Sequence, residues 1–191
     1  MKFRLLLSIV LMLVGVSASS AQQPSNAAAT PLITEIGARP ALRLKGLDGK
    51  TYDVAEMRGS VVLASFGATW CQPCHAEVAA LEELRAEYKD KPVRFLWVSI
   101  ESKDELSNSL LRHRAKGMRI KMPVLRDPDQ QVFSQFTVRK RMPLVIVFDS
   151  EGALAAVPMF GMSEVEMYKK HVREKLDAAL RSSSATAARV R

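Results

Sequence analysis

The sequence predicts an α/β domain in which a central mixed sheet is flanked by helices. Apolar runs of strand length occur at Val61 to Phe66, Val93 to Ile100 and Pro143 to Asp149, bounded by turn residues. Between and after them lie segments of helical spacing, such as Val78, Leu81, Leu84 and Tyr88. Strands alternating with helices early in the chain imply parallel pairing, and a closing strand pair adds an antiparallel edge.

The elements follow in order. Ala41 to Leu44 alternates, and Asp48-Gly49-Lys50 is a hairpin turn signal leading into Thr51 to Val54. Arg58-Gly59 punctuates the chain before the first buried strand, and a helix follows from Cys71 to about Lys89. Ser102, three residues before Glu105 as in a capping box, predicts a second helix that stops at Gly117. Met122 to Leu125 reads as a short strand and Asp129 to Phe136 as a short helix. Ser150-Glu151-Gly152 turns the third central strand into a partner over Ala153 to Met159, where Pro158 marks an edge. Ser163 is expected to cap a last helix ending near Ser182, with residues 182–191 a frayed, disordered tail. This order places helices on both faces of the sheet. There are no internal repeats.

The chain start reads as an export signal. Lys2 and Arg4 precede the apolar stretch Leu5 to Val16, and Ser19-Ser20-Ala21 offers small residues for cleavage, so residues 1–21 are expected to be a signal peptide. An uncleaved membrane anchor is the alternative, although the apolar run falls short of the roughly 20 residues of a spanning helix. Either way the protein is expected in the periplasm. No cysteine near residue 21 would support a lipid anchor. Residues 22–38, rich in Gln, Pro, Ser, Asn and Ala, read as a flexible linker. What remains is enough for one domain with a core.

The net charge of +8 is unevenly spread, with clusters at Arg112-His113-Arg114, Lys116, Arg119 and Lys121, and at Arg139-Lys140-Arg141. These are either solvated faces or steering surfaces for acidic partner proteins. Export and sparse aromatics argue against nucleic acid.

The chemistry lies in Trp70-Cys71-Gln72-Pro73-Cys74, between the first buried strand and its helix. Cys71 and Cys74 are the only cysteines. Two thiols at i, i+3 can close a small disulfide loop, one too short to restrain much chain entropy. In an exported protein a redox role fits them better than a structural one. When reduced they sit where unpaired N–H groups and the helix dipole favour a thiolate. Moving a thiol pKa from about 8.5 to about 7 takes roughly 2 kcal/mol.

The Trp-Cys-x-x-Cys segment after an apolar strand, Met142-Pro143 opening a later strand, and the Phe148-Asp149-Ser150-Glu151-Gly152 turn together resemble the thioredoxin fold. More specifically, the chain resembles the exported TlpA/ResA family of thiol-disulfide oxidoreductases, over about residues 39–181. The stretch from Ser102 to Phe136 matches the inserted segment of that branch. The resemblance implies that Cys71 is the attacking thiolate and that Cys74 resolves the mixed disulfide. It implies that Pro143 carries a cis peptide bond and places Met142 beside the disulfide. Trp70 and Met142 would then border the substrate groove.

It further implies disulfide-bearing or dithiol partner proteins, a membrane thiol carrier for recycling, service in cytochrome c or copper-centre assembly, and no cofactor. Ser65 stands where thioredoxins keep a buried acid, and Glu77 stands three residues after Cys74, where members of this branch often carry glutamate. Glu77 is either a proton acceptor for Cys74 or a solvated first-turn acid. Many relatives have a helix-kinking proline where this chain has Ala79, so a straighter helix is expected.

Other chemistries compete. Cys71-Gln72-Pro73-Cys74-His75 also fits the c-type haem signature C-x-x-C-H, with Met118, Met122, Met159 or Met162 as second ligand. The α/β order argues against it, and His75 reads as a helix-surface residue that modestly lowers a nearby thiol pKa. The thiols, His75 and methionines could instead bind Cu(I), although methionines at these spacings are more often core filler. A peroxidase of related fold needs a single peroxidatic cysteine in another setting. The resemblance implies a reductant of partner disulfides, while the residues themselves leave the direction of electron flow open.

Overall fold

A computed structural model describes residues 32–162 and 164–189, with side chains as far as Ala185. The predicted signal peptide, residues 22–31 of the predicted linker and the predicted Ser163 cap lie outside the described residues. The strands are β1 (Arg43–Gly46), β2 (Thr51–Asp53), β3 (Val61–Gly67), β4 (Val93–Ser99), β5 (Val124–Arg126), β6 (Leu144–Phe148) and β7 (Met159–Phe160). The helices are α1 (Gln72–Glu87), α2 (Asn108–Gly117) and α3 (Val165–Arg189). One mixed sheet has the order β2-β1-β5-β4-β3-β6-β7. Its centre, β3 to β5, is parallel, and β6 runs antiparallel to β3.

The central strands read as apolar runs because both faces are covered. Val61, Leu63, Phe95, Trp97, Val145 and Val147 point into one cluster, and their alternating neighbours Val62, Ala64, Phe66, Leu96, Val98 and Ile146 into another. Buried residues of all three helices join the first cluster, which corrects the expectation of helices on both faces. The steps from β3 to β4 and from β4 to β5 go the same way across the sheet, so right-handed crossovers put α1 and α2 on the same side. The second face is covered instead by Leu42, Val54 and Val132 and by Phe133 and Phe136, whose rings lie 6.0 and 6.4 Å from that of Phe66. The short helix predicted over 129–136 contracts to a 3₁₀ turn at Phe133–Gln135.

Four boundaries also differ. Ser102 and Glu105 do exchange capping bonds, at 2.8 and 3.1 Å, but they close only a turn around buried Leu106. The helix proper starts at Asn108, capped by Ser107. β5 begins at Val124 rather than Met122. In the predicted strand 153–159, Leu154 forms a single bridge to Phe148, and β7 follows only at Met159.

The fourth is the tail, which is helical to Arg189 rather than frayed from residue 182. The hydroxyls of Ser182, Ser183 and Ser184 bond back to the carbonyls of Ala179, Ala179 and Leu180 at 2.8–3.0 Å, so the serines continue the helix. At its start, the Glu164 carboxylate accepts the N–H groups of Glu166 and Met167. At the other end of the domain, Ile33 N–H bonds to Gln135 O and Gly37 N–H to Leu154 O, so chain before residue 39 lies on the domain surface.

α3 lies against α1. Val172, Leu176 and Ala179 share a core with Val78, Leu81 and Leu84, and that burial is the main holding force. Lys169–Glu83 and Arg173–Glu87 ion pairs and the Tyr88–Asp177 hydrogen bond add register. Ion pairs open to solvent contribute only about 0–1 kcal/mol each.

Candidate active site

The site forms where β3 ends and α1 begins. Cys71 is the N-cap of α1, with extended backbone, and its Sγ accepts the Cys74 N–H at 3.3 Å. A sulfur thus holds the place usually given to Ser or Asp, facing the unpaired first-turn N–H groups. Pro73 sits in the first turn, where its missing N–H is not needed. The two sulfurs are joined in a disulfide. Cys71 keeps 6% of its surface exposed and Cys74 none. Only Cys71 can be reached. Trp70 beside it is 62% exposed. Met142 packs against Ala68, Cys71 and Cys74, and the Met142–Pro143 peptide is cis. α1 runs unbroken past Ala79.

Glu77 is the main surprise of the site. It is fully buried, on the same α1 face as Cys74, Val78 and Leu81. Its two carboxylate oxygens are held from two other elements. Ser65 on β3 donates to Oε2 at 2.6 Å, and Tyr168 on α3 donates to Oε1 at 2.7 Å. The solvated-acid alternative is therefore excluded. Burial pushes the Glu77 carboxyl up to about 7, although both hydroxyls favour its charged form. Burial and the neighbouring Glu77 push the Tyr168 phenol well above its ordinary range, so it stays a donor. Ser65, a poor proton acceptor by itself, has become a clamp for an acid on the helix.

Sequence reasoning missed a second network that holds the loop before Cys71. The buried Glu101 carboxylate accepts the Thr69 N–H at 2.9 Å, the Thr69 hydroxyl at 2.8 Å and the Ser99 hydroxyl at 3.1 Å. Arg114 of α2 donates to the Thr69 hydroxyl oxygen at 3.0 Å. The exposed His75 ring bonds to the Thr69 carbonyl through Nε2 at 2.9 Å. These partners lie up to 45 residues from Thr69, so no local motif announces them.

Gly67, the last residue of β3, leaves room for the dithiol. A Cβ there would lie 3.1 Å from Cys74 Sγ, 3.3 Å from Cys74 Cβ and 3.4 Å from Trp97 Nε1. Gly67→Ala is expected to destabilise the oxidised protein by about 1–3 kcal/mol, as overpacking of a close-packed site does. Denaturant unfolding checks this.

One reachable and one sealed sulfur, at the N-terminus of a helix that follows a central strand, define a thiol-disulfide oxidoreductase of thioredoxin-like fold. The AhpC/TSA family model matches residues 37–157, and the chain belongs to that family. It is 30% identical over 131 residues to the thioredoxin-like protein YneN of Bacillus subtilis, covering 69% of this chain and 75% of YneN. It is 27% identical over 133 residues to the thiol-disulfide oxidoreductase ResA of the same organism, covering 69% and 71% of the two chains. Among solved structures, the exposed lipoprotein thioredoxin Etrx1 of Streptococcus pneumoniae matches with a TM-score of 0.58 at 31% identity, over 70% of this chain and 98% of Etrx1.

In this structure the two sulfurs bond each other and the His75 ring bonds to the Thr69 carbonyl. Among the described residues, no group of three or more His, Cys, Asp or Glu is placed to hold a metal.

Proposed function

We propose that this protein is an exported, periplasmic reductant of disulfides in partner proteins, of the kind needed in cytochrome c or copper-centre assembly. A membrane thiol carrier would return it to the dithiol form. In this reading the Cys71 thiolate attacks a partner disulfide, and one partner sulfur leaves as thiolate. Glu77 takes the proton of Cys74, whose sulfur attacks Cys71 Sγ and expels the second partner sulfur. Two electrons pass to the partner and the Cys71–Cys74 disulfide remains. No cofactor enters. Trp70 and Met142 flank the groove, with Pro143 setting the Met142 backbone toward the sulfurs. Arg139 and Lys140 are exposed nearby and suit acidic partners, while Arg141 stacks over the Phe160 ring at 5.0 Å.

The observation that carries the reductive direction is the buried carboxyl of Glu77, one helical turn from Cys74. A negative charge beside a thiolate in a dry site disfavours that thiolate, hence the reduced pair, and strengthens the protein as a reductant. The export signal in residues 1–21 supports the compartment. Equilibration with glutathione tests the direction. A potential near that of thioredoxin, about −270 mV, is expected, and one near that of DsbA, about −120 mV, makes the protein an oxidant instead.

A further inference from the structure

We propose that the Trp97 indole N–H is the donor that stabilises charge on Cys74 whenever the disulfide is open. Trp97 is fully buried, and its Nε1 has no hydrogen-bond partner among the described residues. An unpaired buried donor is rare enough to need a reason. The position of Gly67 supplies one. Trp97 on β4 lies opposite Ser65 of β3 in register, and Gly67 is the next β3 residue on that face. With no side chain at 67, the indole edge and the Cys74 sulfur border the same gap, 3.4 and 3.1 Å from where a Cβ would sit.

The chemistry explains why this donor is unpaired in the disulfide form. When an incoming thiolate attacks Cys71 Sγ, the new sulfur–sulfur bond forms as the Cys71–Cys74 bond breaks. The electron pair of the broken bond goes to Cys74 Sγ. In the reverse direction the Cys74 thiolate attacks Cys71 Sγ, and the partner sulfur leaves with the pair. Both directions pass through a negative Cys74 sulfur. Cys74 is fully buried, so solvent cannot carry that charge. A disulfide sulfur is a poor acceptor, whereas a thiolate forms a charge-assisted bond. Glu77 of α1 and Tyr168 of α3 are bonded to each other on this side, and Tyr88 after α1 joins the same cluster. Glu77 removes the proton, and Trp97 meets the charge left behind.

This inference rests on Cys74 being the resolving sulfur. The test titrates Cys74 by ultraviolet thiolate absorbance in a Cys71→Ser background. Trp97 is retained, replaced by Phe, or replaced by β-(3-benzothienyl)alanine, which keeps the bicyclic shape and loses the N–H. Both replacements are expected to raise the Cys74 pKa by about one unit, a roughly tenfold loss of ionisation. In the two-cysteine protein, opening of the disulfide by glutathione should slow severalfold, because Cys74 Sγ leaves as the thiolate. A folded benzothienyl variant whose Cys74 pKa and rate of opening by glutathione both match the parent overturns the proposal, whatever happens to the larger change to Phe. Faster alkylation of Cys74 than Cys71 in the parent would overturn the assignment of roles beneath it.

Discussion

Cys71→Ser is expected to reduce insulin disulfides no faster than buffer, while Cys74→Ser accumulates covalent complexes with its partners. The two outcomes differ because the sulfurs are unequally placed. Cys71 is the N-cap and the reachable atom, so removing it removes attack. Cys74 is sealed, so its loss leaves attack intact and removes the second displacement that frees the partner. Non-reducing gels and mass spectrometry of the trapped species read the difference. Complexes formed by the Cys71→Ser variant instead would reverse the assignment.

The second large effect is expected from Glu77→Gln, which keeps the shape and removes the base. A positioned general base contributes about 10²–10⁴ in rate, so resolution should slow by roughly a hundredfold or more. The parent rate should climb as pH passes about 7, where Glu77 ionises, and the variant should lose that step. Stability should move the opposite way. The carboxyl of Glu77 sits at about 7 when folded against an ordinary 4.5, so the folded protein holds the proton more tightly. The resulting stabilisation is fully present below about pH 4.5 and is lost as pH rises through about 7. Across that window the parent should lose roughly 3 kcal/mol more than Glu77→Gln in denaturant unfolding. Matching pH profiles in both rate and stability would mean that Glu77 is neither base nor buried acid.

How much of this was legible in the chain depended on sequence distance. The dithiol, the central strands and α1 are written in short windows, where spacing alone identifies them. The i, i+3 relation of Glu77 to Cys74 was also visible. Its burial was not, because the hydroxyls that hold it come from Ser65 and Tyr168, 12 and 91 positions away. The Thr69–Glu101 contact spans 32 positions and left no periodic trace. Trp97 read as one more apolar strand residue, since nothing local reveals what its nitrogen faces. Local signals also misled where tertiary context prevailed. The Ser102–Glu105 pair formed its bonds, but Leu106 was drawn into the core and delayed the helix to Asn108. The serines after Ala179 looked like a helix stop, yet they bonded back onto the helix.

The attachment of Glu77 to hydroxyls on β3 and α3 separates two properties that the four-residue motif would otherwise fix together. Which sulfur attacks is decided at the helix end, but the acidity at which the second sulfur answers is decided from behind. Exchanging Ser65 or Tyr168 for a residue without a hydroxyl would retune the working pH and leave Trp70 to Cys74 untouched. Because both hydroxyls favour the charged carboxylate, that change moves the working pH upward, through residues that no incoming protein ever meets.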